Sequence, residues 1–213
     1  MSNHIFAGNT YMELTDEQAA AIVAAIRELK VVGTEMKQLS EFAPGEVVKI
    51  GDYELVVLEQ IGEMTYLICK GLVAEEVMFG ASNNNYVGSL VESVCQTFAE
   101  KITEAVGDEN IIRHDVDLTT LDGLKDYGTI IDCRASLLTL PMYQRYVDVL
   151  DQHKRDKWWW LATATSTKRH ENDRWALCVS PSGSIIIDNV NSDRGVRPFC
   201  ILNSSIFVSC RNE

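Results

Sequence analysis

Trp158-Trp159-Trp160-Leu161-Ala162-Thr163 is the stretch that decides the fold class. Successive side chains of a strand point to opposite faces, so Trp159 and Leu161 go one way while Trp158, Trp160 and Ala162 go the other. Large aromatics on both faces predict a strand buried on both sides. Downstream, Trp175-Ala176-Leu177-Cys178-Val179 predicts a second strand, Ser180-Pro181-Ser182-Gly183 a hairpin turn and Ser184-Ile185-Ile186-Ile187-Asp188 a third strand. Phe199-Cys200-Ile201-Leu202 and Ser205-Ile206-Phe207-Val208-Ser209 are expected to finish the same sheet. All four tryptophans fall in this region. They serve either as core or as a sugar-stacking platform, and the alternation favours core. The polar segments between the apolar blocks, 164–173 and 188–194, read as loops that need not pack, the usual place for binding residues.

Working outward, Val47-Val48-Lys49-Ile50, Tyr53 to Glu59 and Thr65 to Cys69 predict a meander of antiparallel strands between Gly-containing turns. Ser89 to Val106 predicts a helix with Leu90, Val94, Phe98 and Ile102 on one face, and Ile130 to Arg134 a strand. Pro141 to Gln152 predicts a helix that opens with Pro in its first turn. At the N-terminal end, Thr15 and Gln18 have capping-box spacing, and the residues from Ala19 to Leu39 contain no proline. Ile22, Ile26, Leu29, Gly33 and Met36 then form a short heptad-like seam, which fits either a docked amphipathic helix or a self-association helix. Phe42-Ala43-Pro44-Gly45 ends it. The expected organisation is an N-terminal helical anchoring or oligomerisation segment over 1–44 and a ligand-binding domain over 45–213.

Composition excludes several classes. The 213 residues carry a net charge of −12 and only short, mixed clusters of Lys and Arg, a poor match for a nucleic-acid partner. No run approaches the roughly 18 apolar residues of a membrane helix, and no signal peptide is read at the start. The expectation is no nucleic acid and no membrane insertion. Six cysteines without a C-x-x-C pair point to free, buried thiols. A disulfide among Cys178, Cys200 and Cys210 is the alternative.

The Trp-Trp-Leu block, the strand–turn–strand with Gly at its tip and the closing Gly195-Val196-Arg197-Pro198 resemble a domain family of gut bacteria and their phages. That family is similar to the C-type-lectin-like fold of the formylglycine-generating-enzyme type, which also houses the variable proteins of diversity-generating retroelements. The resemblance covers roughly Glu46 to Ser209. It implies an α+β, C-type-lectin-like fold with antiparallel sheets and two or more helices, preceded here by the N-terminal helix. It also implies a ligand surface just before the closing block, carried by position onto Thr163, Thr165, Arg174, Asp188, Asn189, Asn191, Ser192 and Asp193. Such residues make adaptable hydrogen bonds. Trp158, Trp159, Trp160, Trp175, Gly195, Arg197 and Pro198 are expected to be framework. Gly195 would permit a tight or φ-positive turn, and Arg197 would fork onto a carboxylate or carbonyls. The chain departs from the family at Ala162-Thr163-Ala164-Thr165 and at Phe199-Cys200, where Arg-Ser-Pro and small apolar residues are usual.

No calcium loop forms around Asp115, Asp117 and Asp122, because Thr120 stands where Gly is needed. His114, His153 and His170 lack the mutual spacing of metal ligands, and no nucleophile elbow or phosphate loop is present. The expected function is therefore non-catalytic binding, with no cofactor and no metal. The chain is read as a phage or prophage virion-associated protein, homo-oligomeric or joined to the virion through its N-terminal helix, that binds a host surface protein or glycan. An intracellular interaction or inhibitor protein in the host cytoplasm is the alternative, and a cryptic enzyme on the same fold is the third reading.

Overall fold

The computed structural model describes residues 3–7, 10–15, 17, 18, 20, 21 and 36–210. An N-terminal hairpin pairs β1 (Asn3–Ala7) with β2 (Thr10–Leu14). Then come β3 (Met36–Gln38), β4 (Val47–Ile50), β5 (Tyr53–Ile61), β6 (Met64–Cys69) and β7 (Ala74–Val77), followed by helix α1 (Leu90–Val106). Past it run β8 (Ile111–Ile112), β9 (His114–Asp117), β10 (Thr129–Cys133) and β11 (Ala135–Ser136), then short helices α2 (Leu140–Arg145) and α3 (Val147–Gln152). The last described strands are β12 (Trp159–Ala164), β13 (Trp175–Val179), β14 (Ile185–Asn189), β15 (Arg194–Val196), β16 (Phe199–Asn203) and β17 (Phe207–Cys210).

These elements form a mixed α and β molecule dominated by two sheets. The larger runs β11-β16-β6-β5-β4-β17-β3, with β8 also on β16, and the smaller runs β14-β13-β12-β15-β7. Period-two alternation lets each sheet feed two cores. In β5, Leu55 and Val57 face a core with Phe98 and Ile102 of α1. Val56 and Leu58 face the opposite core, which contains Trp159, Leu161, Leu177 and Val179 of the smaller sheet. The other face of that sheet, with Trp160, Ala162, Ala176 and Cys178, packs on Val91 and Cys95 of α1. Every residue of β12 is buried, as the alternating aromatics predict.

The structure corrects several expectations. β16 and β17 belong to the larger sheet, not to that of β12–β14, and the chain crosses between sheets at Arg197-Pro198. Leu90 of α1 is exposed, and the buried stripe is Val91, Cys95, Phe98, Ala99 and Ile102. The helix expected from Pro141 to Gln152 breaks at Tyr146, where φ −106° and ψ 13° end α2 and start α3. At the N-terminal end the capping box forms: Thr15 N donates to Gln18 Oε1 at 3.0 Å, and Gln18 N donates to Thr15 Oγ1 at 3.2 Å. Residues 17, 18, 20 and 21 are helical, but the seam from Ile22 to Gly33 lies outside the described residues. Its last member, Met36, is not helical: it opens β3, which pairs with β17. Leu39 and Phe42 join the core, so the sheet structure starts at least eight residues before the expected boundary at 44. Among the described residues no helix is long and apolar enough to cross a membrane.

Candidate functional site

The β13–β14 hairpin builds the most distinctive surface. Its turn closes at Gly183, whose φ of +87° is the left-handed region that favours glycine. The register sets Trp175 opposite Asn189, Leu177 opposite Ile187 and Val179 opposite Ile185. β13 sits inside the sheet, and its residues Ala176 to Val179 are buried. β14 is the outermost strand, with no further strand on its outer side among the described residues. An edge of this kind presents unpaired backbone N–H and C=O groups. Ile185, Ile186 and Ile187 are 37%, 38% and 51% exposed. Trp175, expected to be framework, is 41% exposed across from Asn189, because it starts β13 at the open end of the sheet.

The turn leaving β14 is ordered by its own side chains. Asp188 Oδ1 accepts from Ser192 Oγ and from Asn189 N, both at 2.8 Å, and Oδ2 accepts from Arg194 Nε at 2.8 Å. The Arg194 guanidinium then lies 5.2 Å from the Trp158 ring centroid. Asn189 Oδ1 accepts from Asn191 N at 3.0 Å, and buried Val190 donates its N–H to Arg174 O at 2.9 Å. Asn191 and Asp193 are left exposed on a fixed turn. Arg174, also exposed, donates from Nη1 to Ser82 O at 3.0 Å. The structure thus sets Asn189 opposite Trp175, joins the strand end to Arg174 through Val190, and carries Asn191, Ser192 and Asp193 on the turn that follows, with Asp188 as the internal brace. Segment 188–194 is not a loop free of the frame.

Comparison of the chain with protein-family models, curated proteins and solved structures finds no match.

Thr163 and Thr165 do not join this surface. Both are buried: Thr163 Oγ1 accepts from Leu140 N at 2.8 Å, and Thr165 Oγ1 donates to Trp175 O at 3.0 Å. Ser166 and Thr167, which follow them, are also buried. Asn84, fully buried, donates to Ser166 O at 3.1 Å and Trp175 O at 2.7 Å, and accepts from Tyr127 Oη at 2.6 Å. This amide fastens the loops around 84, 127 and 166 to β13, a role hidden in sequence because Asn83-Asn84-Asn85 reads as a plain polar loop. Asp122 accepts from Thr120 Oγ1 at 2.5 Å and faces His170 Nδ1 at 2.9 Å, an exposed pair that ties two loops together.

The framework residues are specific in their jobs. Trp160 is fully buried, donates Nε1–H to Val77 O at 2.8 Å and meets Phe79 edge-on at 5.5 Å. Gly195 is not φ-positive. A Cβ there would come within 2.3 Å of Leu72 Cδ1, so a larger residue would have to displace the Leu72 side chain. Pro198 O accepts from Cys69 N at 2.9 Å, joining the crossover to β6. Cys178 and Cys200 are free thiols in different cores, which removes that disulfide pairing. Burial pushes both thiols up to about 12, so neither is a ready nucleophile.

Proposed function

We propose that the chain is a non-catalytic recognition module on a C-type-lectin-like frame, which offers the β14 edge, Trp175 and the 188–194 turn to a protein on a host cell surface. The observation that carries this reading is the open edge of β14, where three consecutive isoleucines stand 37–51% exposed beside an exposed tryptophan. Soluble proteins ordinarily blunt such an edge with charge, proline or a covering element. An uncovered edge can accept an extended segment through main-chain hydrogen bonds, while its side chains select the partner. Arg174, Asn189, Asn191 and Asp193 then supply adaptable polar contacts around the apolar strip. Placement on a phage or prophage virion, and diversification of this face, rest on the family resemblance. The heptad-like spacing of Ile22, Ile26, Leu29 and Gly33 in the sequence supports the N-terminal segment as anchor or oligomerisation element.

Binding of the fluorescently labelled full chain to a panel of gut-bacterial cells tests the reading. Alanine at Asn189, Asn191 and Asp193 together is expected to weaken cell binding about tenfold or more while leaving the melting curve in place. Unchanged binding would move the face elsewhere. Binding to a glycan array that competes with cells would change the ligand class. Light scattering on the full chain is expected to give an oligomer that deletion of residues 1–35 converts to a monomer.

A further inference from the structure

The hydrogen-bonding phase of the β13–β14 hairpin fixes which main-chain groups of β14 are open to a partner. Ser180 N donates to Ser184 O and Val190 N donates to Arg174 O, each at 2.9 Å, with an unbroken register between them. In an antiparallel pair, residues that exchange bonds alternate with residues whose N–H and C=O point away. Ser184, Ile186, Asp188 and Val190 therefore turn their main-chain groups to β13, while Ile185, Ile187 and Asn189 turn theirs outward. Both ends of this outer row are closed. Asn189 N donates to Asp188 Oδ1 and Asn189 O accepts from Ser192 N, both at 2.8 Å. At the turn, Gly183 N donates to Ser180 O at 2.9 Å and Gly183 O accepts from Tyr143 Oη at 2.7 Å. Ile185 and Ile187 are left, with four main-chain groups facing outward and no strand beyond them among the described residues.

The side chains at this opening are apolar on both faces of the sheet. Ile185 and Ile187 stand beside Val179 and Leu177 on the face that meets the larger sheet, and Ile186 stands beside Cys178 on the face toward α1. The far edge of the same sheet is built differently. There β7 exposes Glu75 and Glu76, Lys157 pairs with Glu75, and Glu76 has a left-handed φ of +56°. Charge and an irregular backbone are the ordinary protection of an edge strand. The three isoleucines of β14 have neither.

We propose that the β14 edge takes an extended, antiparallel peptide segment with three consecutive apolar residues, of which only the first and third give their N–H and C=O to the protein. Those two lie across from Ile187 and Ile185 and make four main-chain bonds. The middle residue turns its own main-chain groups to solvent and packs its side chain on Ile186. Apolar β-branched residues suit all three places, because each meets an isoleucine across the strand pair. A residue without an N–H fits only in the middle. Basic residues flanking the triplet suit a chain of net charge −12. The assignment rests on the recognition role proposed above for this edge and specifies the segment recognised.

The test is amide hydrogen exchange of the full chain, read residue by residue by NMR, with the peptide acetyl-Lys-Ser-Ile-Val-Ile-Ser-Lys-amide as probe. In the peptide-free chain the Ile185 and Ile187 amides should exchange about tenfold or more faster than the Ile186 amide, which the ladder bonds to β13. Saturating peptide should slow Ile185 and Ile187 about tenfold or more and leave Ile186 within about twofold. N-methylation of either isoleucine of the peptide is expected to weaken binding about tenfold or more, and N-methylation of its valine less than about threefold. Four outcomes overturn the proposal: no protection by the peptide; equal loss from methylation at valine and at isoleucine; equal protection by a peptide with Ser-Asn-Ser in place of Ile-Val-Ile; or protection in the peptide-free chain that grows with its own concentration, which makes the occupant a second copy. Absent peptide protection with cell binding lost in Trp175→Ala plus Ile187→Asp would overturn the segment and leave the edge as the recognition face. Peptide protection with cell binding indifferent to that double substitution would uphold the segment chemistry and overturn the recognition role.

Discussion

β12 and β14 carry comparably apolar cores, Trp159-Trp160-Leu161-Ala162 and Ile185-Ile186-Ile187, yet the first strand is buried at every residue and the second is exposed at all three isoleucines. The difference is position in the sheet. β12 lies between β13 and β15 with a packed core on each face, whereas among the described residues β14 has a neighbouring strand on one side only. Apolar composition therefore predicts a strand without predicting its burial. Apolar surface left at an edge is available for recognition, while apolar surface at the centre holds the frame.

The contrast can be broken at its strongest point by Trp160→Ala. Losing a fully buried indole and its bond to Val77 O should cost about 3–5 kcal/mol in denaturant unfolding. Asn84→Ala is next, because it strands Ser166 O, Trp175 O and the Tyr127 hydroxyl together. The expected loss is about 2–3 kcal/mol, read by the same melts.

The frame should also carry a pH signature. His114 is largely buried, with Nε2 3.1 Å from Ser136 Oγ and its ring edge-on to Phe199 at 5.1 Å, and burial holds its pKa down at about 4 instead of 6.5. The unfolded chain then takes up a proton between those values that the folded chain refuses. Stability is full above pH 6.5 and falls as the pH drops toward 4, by about 2 kcal/mol at pH 5. Melts from pH 7.5 to 5 should show this slope, and His114→Gln should flatten it. Ile187→Asp is expected to have the smallest effect, within about 0.5 kcal/mol, because the side chain is already half in water.

Much of the frame is legible in the sequence. Aromatic alternation across Trp159 and Trp160 marked the doubly buried strand, and Gly183 marked the hairpin, because both are local properties of the chain. Assigning β16 and β17 to a sheet was not legible, since ladder partners such as Tyr66 and Ile201 are far apart in sequence. The buried face of α1 differs from the predicted one for a geometric reason. Residues spaced strictly by four drift about 40° per step around a helix of 3.6 residues per turn, which carries Leu90 to solvent. Of the candidate site, the polar turn at 188–194 was readable from its residue types. The inward turn of Thr163 and Thr165, the exposure of Trp175 and the choice of the Cys69 carbonyl as the partner of buried Arg197 all depend on sheet order and on which strands meet, which composition does not encode.

The assignment of recognition to the edge instead of the tryptophan strand is tested most directly by the double substitution Trp175→Ala with Ile187→Asp, read simultaneously by thermal melting and by binding to gut-bacterial cells. The prediction is a melting temperature within about 4 °C of the parent together with a loss of cell binding of about tenfold or more. Cell binding retained at parental strength by a folded double variant would contradict it.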